Sequence, residues 1–237
     1  MPFPANGEEG YLGGPVTKPR PLALLFDLDG TLVDTIELIL ASARHAFAEH
    51  PGRRPTDADW IAGIGKPLRV QIEELAGRPE QVEPLVARYR EYFWAHHDEM
   101  TRPFSGAVEV VSGLRAAGHP VGIVTAKWEE PAWKSLRLTG LAPFVDAVVG
   151  ADSLPEHKPD PAPVRLLLGR LDRTREEALL VGDSPHDIAA GNAAGVTTAA
   201  ALWGASAHEV LLQARPAHLL AAIGEVPGLV RLLEAAR

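Results

Sequence analysis

Residues 21–35 read "PLALLFDLDGTLVDT". Pro21 opens an apolar run, Leu22 to Phe26, that stops at two aspartates, Asp27 and Asp29, one residue apart. A short apolar run bounded by Pro and Gly reads as a buried strand. A lone strand-end Asp is commonly a turn or cap residue, and Asp29-Gly30-Thr31 fits that plain role. Two carboxylates at the end of one buried strand repel each other. The plain role leaves their pairing unexplained.

The same pattern recurs outward from this stretch. "PVGIV" precedes Thr125, "FVDAVVG" precedes Ala151-Asp152, and "EALLV" precedes Gly182-Asp183. A weaker fifth run is "VTTAAAL", 196–202. Helix-like stretches lie between them, at 106–118, 130–140, 162–171 and 186–195. Strands alternating with helices predict an α/β fold with a doubly wound parallel sheet, Rossmann-like in build. The runs are apolar throughout, as strands covered by helices on both faces require. Parallel strands finish at one edge of the sheet, and ligands bind in the crevice there. Asp27, Thr125 and Asp183 are therefore expected to converge.

Residues 35–100 break the rhythm. "TIELILASARHAFAEH", "DADWIAGIG", "PLRVQIEELAG" and "PEQVEPLVARYREYFWAHHDEM" all read as helical, with no strand among them. An α-helical insertion of about four helices is expected over 35–103, inside a core formed by 21–34 and 104–237. The opening "MPFPANGEEGYLGGPVTKPR", 1–20, is rich in Pro and Gly and has no apolar signal-peptide core. It is read as a mobile leader. The final "AHEVLLQARPAHLLAAIGEVPGLVRLLEAAR" reads as amphipathic helices.

The 237 residues are 46% hydrophobic and carry a formal net charge of -8, with no basic tail. This balance argues against a nucleic-acid partner, but not against a small anion, because a metal ion can reverse the local field. No cysteine is present, which excludes thiolate nucleophiles and Cys-based zinc sites and fits a cytoplasmic setting. No apolar run approaches membrane-spanning length.

Asp183 closes the fourth run and Asp187 follows one helical turn later. Several carboxylates at one rim repel by several kcal/mol at an effective dielectric of about 20 unless a cation joins them. A hard divalent ion such as Mg²⁺, which shares phosphate oxygens readily, is the natural companion. Thr125 offers a hydroxyl, Lys158 in "HKPDP" offers a cation, and Gly30 lets backbone amides approach a ligand. One carboxylate could then attack phosphorus and form an aspartyl-phosphate. A second could serve as general acid and then general base.

With these residues in hand, the chain resembles the haloacid-dehalogenase-like (HAD) superfamily, in its phosphatase division. Four motifs match in order: "DLDGT", Thr125 after "VGIV", Lys158 in "HKPDP", and "GDSPHD". The resemblance implies Asp27 as nucleophile and Asp29 as general acid/base. It implies Mg²⁺ held by the Asp27 carboxylate, the Asp29 carbonyl and Asp183, with Asp187 as an outer-shell orienter. Thr125 and Lys158 would hold the phosphoryl group, and the helical insertion would be a cap that excludes water. Asp29 speaks against dehalogenation, since dehalogenating relatives lack an acid there.

Within that superfamily the chain is similar to phosphoglycolate phosphatases and to a bacterial inorganic-pyrophosphatase branch. "TAK", 125–127, matches both, while "TIELI", "HHDEM" and "GDSPHDI" stand closer to the second. A small phosphorylated metabolite, phosphoglycolate-like, is the expected substrate, with pyrophosphate as the alternative. The protein is expected to act as a monomer or homodimer. Lys66 in "GIGKP" is a candidate substrate contact from the cap, and Arg69 is read as a solvated helix residue. His96-His97 lacks a third metal ligand at suitable spacing, and "GIGK" lacks the full P-loop pattern. The tryptophans at 128, 133 and 203 are read as core or crevice walls. A phospho-Asp receiver module would share the strand-end Asp, Thr and Lys, but has neither Asp29 nor the insertion. A non-catalytic scaffold would have lost one of Asp27, Asp29, Lys158 or Asp183. A phosphomutase would use the same core.

Overall fold

The computed structural model describes residues 20–237. The expected leader, 1–20, therefore lies outside the described residues except for Arg20. In chain order the elements are β1 (Ala23–Phe26), β2 (Val33–Asp34), α1 (Ile36–Phe47), α2 (Asp57–Ile61), α3 (Leu68–Ala76), α4 (Val82–Met100), β3 (Arg102–Pro103), α5 (Ala107–Ala116), β4 (Val121–Val124), α6 (Glu129–Leu138), β5 (Ala147–Val149), α7 (Ala162–Arg170), β6 (Ala178–Gly182), α8 (Pro185–Ala194), β7 (Thr197–Ala201), α9 (His208–Gln213), β8 (His218–Leu220) and α10 (Val226–Ala235).

Six strands form one parallel sheet in the order β5-β4-β1-β6-β7-β8. β1 lies inside it, pairing Phe26 with Ile123 of β4 on one side and with Val181 of β6 on the other. The chain fills one half of the sheet before crossing to the other, so the point where strand order reverses falls at the end of β1. The apolar runs explain the layering. Alternate residues of β1 face opposite ways: Leu24 and Phe26 enter the core shared with α5, α6 and α10, while Ala23 and Leu25 enter the core shared with α7 and α8. Every residue of β1, β4 and β6 is buried.

Helices α1–α4 gather around a separate cluster that includes Leu38, Phe47, Trp60, Ile72, Tyr89 and Phe93. Tyr89 stacks between Trp60 and Phe93, with ring centroids 5.8 and 5.9 Å away. The chain leaves the sheet through β2 and returns through β3, an antiparallel pair joining Val33 to Pro103 and Asp34 to Arg102. Among the described residues no helix is long and apolar enough to cross a membrane.

The C-terminal stretch corrects the all-helical expectation. α9 and α10 are present, but His218–Leu220 forms β8, pairing in parallel with Ala199–Ala201. Three residues after Pro216 are too short to show a period, and only the open edge of β7 makes them a strand.

Helix α7 approaches β4 so closely that a Cβ on Gly122 would stand 2.8 Å from Leu167 Cδ1 and 3.0 Å from Leu171 Cδ1. Gly122→Ala should therefore destabilise by about 1–3 kcal/mol through overpacking. Gly113→Ala, at an exposed position of helix α5 where no atom lies within 4 Å of the new methyl, should stabilise by about 0.5–1 kcal/mol. Thermal unfolding of the two variants should show midpoints moving in opposite directions, and a shared direction would contradict this account of the α7–β4 packing.

Candidate active site

β1, β4 and β6 deliver Asp27, Thr125 and Asp183 to one rim. The register makes this unavoidable: Phe26 pairs with Val181, and each residue lies just past the last of its strand. Asp27, Thr125, Lys158, Asp183 and Asp187 are all buried. Carboxylate oxygens of Asp27, Asp183 and Asp187 lie within 4.8 Å of one another.

Among the described residues Lys158 is the only cation buried with them, at the end of a loop whose next peptide bond, Lys158–Pro159, is cis. Its Nζ donates to Asp27 Oδ1 at 2.7 Å, Asp187 Oδ1 at 2.5 Å and the Val124 carbonyl at 3.0 Å. Burial alone would depress the lysine, but the charges of Asp187 and Asp27 outweigh it and hold it above its ordinary value. The ammonium therefore stays protonated.

Asp187 occupies two roles at once. Ser184 caps α8, and Asp187 at its third position completes a reciprocal capping box. Asp187 Oδ2 accepts from the Ser184 amide at 3.0 Å and its hydroxyl at 2.6 Å, leaving Oδ1 to Lys158. The cap residue of a helix is thereby also a wall of the acidic cluster.

Asp183 is gripped by close backbone. Its Oδ1 accepts from Thr31 Oγ1 and its Oδ2 from the Ala205 amide, both at 2.9 Å. Gly30, at φ +90°, passes so near that a Cβ there would be 2.2 Å from Asp183 Oδ2, and one on Gly204 would be 2.2 Å from Asp183 Cβ. Burial, then the charge of Asp187, pushes the Asp183 carboxyl up to about 7 against the pull of Ala205, Thr31 and Lys158. Burial likewise pushes Asp27 well above the usual carboxylate range; Lys158 opposes this, and Asp187 and Asp183 add to it. One ammonium stands beside three buried carboxylates and bonds two of them, so the ionised cluster keeps two surplus negative charges. All its donors are oxygens. A hard divalent cation fits both the charge and the donor set.

Asp29 lies apart from the triad and more exposed, its side chain 14% accessible. Its Oδ1 accepts from Thr35 Oγ1 at 2.6 Å and from Lys127 Nζ at 2.8 Å. Asp27, Asp29, Thr125 and Lys127 form the floor of a cavity of about 600 Å³. Ile64, Tyr89, Phe93 and Trp94 line it from the helical side. Thr125 Oγ1 accepts from the Lys127 amide at 3.2 Å and keeps its own proton for a ligand.

Lys66 lines the same cavity from the helical side, with its ammonium on Glu74 at 2.7 and 2.8 Å rather than in the buried cluster. Arg69 also reaches the cavity wall while its guanidinium pairs with Glu73 and Glu83. His97 is fully buried, its Nε2 2.9 Å from Ser135 Oγ, and Trp203 donates to the Thr31 carbonyl at 2.9 Å. Sequence reasoning missed Lys127, Thr31 and Ser184 as parts of the site. Each stood inside a quoted motif, "TAK", "DLDGT" or "GDSPHD", so the signal was adjacency to a strand-end residue.

The chain is similar to known proteins over most of its length. The family model described as haloacid dehalogenase-like hydrolase matches residues 24–201. A pyrophosphatase PpaX from Halalkalibacterium halodurans is 38% identical over 207 residues, covering 87% of this chain and 95% of that protein. One from Bacillus velezensis is 39% identical, covering 86% and 94%. Among solved structures, a haloacid dehalogenase-like hydrolase from Bacteroides fragilis superposes with a TM-score of 0.80 at 25% identity, covering 87% of this chain and all of that one. A protein described as a predicted phosphoglycolate phosphatase from Haemophilus somnus gives 0.80 at 23%, covering 88% and 97%, a likeness of fold. With the parallel sheet, the strand-end acids and the family model in agreement over most of its length, the chain belongs to the haloacid dehalogenase-like hydrolases.

Proposed function

We propose that this hydrolase is a Mg²⁺-dependent phosphohydrolase that works through an aspartyl-phosphate on Asp27, with pyrophosphate as its substrate. The observation that carries the reaction class is the Lys158 ammonium held between Asp27 and Asp187, with Asp27 and Asp29 both on the cavity floor and Asp29 outside that cluster. A carboxylate pinned by a lysine suits attack on phosphorus. A second carboxylate under less burial suits proton transfer. The choice of substrate is supported by the PpaX pyrophosphatases, matched over nearly their whole length.

In this reading Asp27 attacks phosphorus as the bond to the leaving oxygen breaks, and Asp29 gives that oxygen a proton. A water then attacks the aspartyl-phosphate. Asp29 takes the proton of that water, and Asp27 is released as a carboxylate with inorganic phosphate. Thr125 gives its hydroxyl to a phosphoryl oxygen, and Lys158, whose three protons serve Asp27, Asp187 and the Val124 carbonyl, acts on the phosphoryl group through its charge. HAD phosphatases generally use Mg²⁺; here Asp27, Asp183 and the Asp29 carbonyl would hold it, with Asp187 orienting, and it would offset charge on the phosphoryl group. Residues 35–103 act as the cap that covers the cavity, and Lys66 meets the distal end of the substrate. A cytoplasmic setting belongs to the same reading, supported by the cysteine-free sequence.

Asp27→Asn should abolish turnover with the fold intact, and Asp29→Ala should cost about 10²–10⁴ in kcat. A panel of pyrophosphate, 2-phosphoglycolate, sugar phosphates and nucleoside monophosphates tests the substrate. A higher kcat/KM for 2-phosphoglycolate than for pyrophosphate would overturn the pyrophosphate reading and leave the mechanism standing.

The metal assignment has its own readout. Asp183 is held up to about 7 against 3.8 for an ordinary aspartate. A raised carboxyl favours the folded state fully below the unfolded value and loses that contribution as pH rises through the folded one. Mg²⁺ binds the ionised form and offsets the loss. The Mg²⁺-induced rise in unfolding midpoint should thus be larger at about pH 8 than at about pH 5.5. A rise that is equal at both, or absent in the presence of excess Mg²⁺, would remove Asp183 from the ligand set.

A further inference from the structure

The long helix α4 meets the sheet domain along one stripe of its surface, opposite the start of α6. Arg90 lies 4.8 Å over the ring of Trp128. Lys127 Nζ stands 5.1 Å from the Phe93 ring centroid, and Lys134 Nζ stands 4.8 Å over Trp94. Lys134 also reaches Asp98 at 3.3 Å. His97 Nε2 reaches Ser135 Oγ at 2.9 Å. Positions 90, 93, 94, 97 and 98 recur at helical spacing, so they share one face. Cations cross this seam in both directions, from α4 onto Trp128 and from α6 onto Trp94.

One line of hydrogen bonds crosses the seam and ends at the acid/base carboxylate. His97 Nδ1 donates to Asp98 Oδ1 at 2.6 Å. Burial, joined by the charges of Lys127 and Lys134, holds His97 below its ordinary value against the pull of Asp98, so the ring is neutral. Its Nε2 therefore accepts from the Ser135 hydroxyl. The Ser135 oxygen lies 3.4 Å from Lys127 Nζ, and Lys127 donates to Asp29 Oδ1 at 2.8 Å. A lysine stem is long and flexible, and its ammonium is a point charge without a fixed direction. Ser135 on one side and the Phe93 ring on the other give it one.

We propose that Lys127 and Ser135 are positioning residues for Asp29, and that His97 is the point at which the seated helical unit engages them. The line His97–Ser135–Lys127–Asp29 aims the acid/base carboxylate while α4 lies on α6. It rests on the assignment of Asp29 to proton transfer made above, and extends it through Lys127 to Ser135 and His97, which do not line the cavity.

The test is a double-mutant cycle on the full chain with Mg²⁺ and pyrophosphate. Ser135→Ala should lower kcat about tenfold through misplacement of Asp29, with KM within about twofold. Ser135→Thr, which keeps the hydroxyl, should recover most of the loss. His97→Phe, which keeps the ring shape, should lower kcat to a similar extent. In a Lys127→Met background neither Ser135→Ala nor His97→Phe should lower kcat further, because the joint they act through is gone. Losses that add in full to that of Lys127→Met, or an unchanged kcat in Ser135→Ala and His97→Phe, would overturn the proposal while the phosphohydrolase reading stands. A wild-type protein with no turnover of any phosphate compound would sink that reading, and this proposal with it.

Discussion

The Lys158 ammonium points its three protons at Asp27, Asp187 and the Val124 carbonyl, deep in the protein. Without it, the carboxylates that end β1 and open α8 could not share a buried rim. Removing one partner of a buried ion pair leaves a bare charge that costs about 3–5 kcal/mol. Much of the local architecture follows from seating that one cation. Asp187 is fixed by the Ser184 capping box, and the stretch of β1 between β4 and β6 brings Asp27 to the same point. Yet Lys158 offsets only part of the charge. Gly30 and Gly204 press backbone against Asp183, whose carboxyl is left without a cationic hydrogen-bond donor. The site is therefore only partly neutralised, and its remaining charge suits a divalent ion.

The two carboxylates of the opening motif differ because their surroundings differ. Asp27 is nearly inaccessible and shares its lysine with Asp187, whereas Asp29 stands at the base of an open cavity between two donors of different kinds. One of those donors, Thr35, precedes the first helix of the insertion; the other, Lys127, follows β4. Asp29 is thus held jointly by the segment that leaves the sheet and the segment that carries Thr125. The same division holds for the cavity walls. Tyr89 and Phe93 belong to the core of the helical unit and also face the cavity, so packing of that unit and shape of the binding space are set by the same rings.

Much of this was legible before any coordinates. Apolar runs ending in Asp27, Thr125 and Asp183 announced a parallel sheet with a functional rim, because strand direction alone brings such residues together. The helical character of 35–100 was clear from the spacing of its apolar positions. β8 was not legible, since three residues carry no period and their pairing depends on the open edge of β7. Lys127 was also missed. Nothing local marks it as more than a solvated lysine, and its importance comes from Asp29, 98 residues away. The contact of His97 with Ser135 was equally hidden, because it crosses a boundary that no periodicity reports.

The two-residue ribbon of β2 and β3 sets the exit and return points of the insertion side by side, with Val33 opposite Pro103 and Phe104 bonded back to Leu32 at 3.0 Å. From the standpoint of the sheet, everything between them is a single closed loop whose ends already touch. Doubling the length of such a loop adds only about 0.6 kcal/mol to its closure. The sheet therefore tolerates an insertion of almost any size at this junction. Chains sharing this stem are free to exchange the helical unit while leaving untouched the rim where Asp27, Thr125 and Asp183 converge.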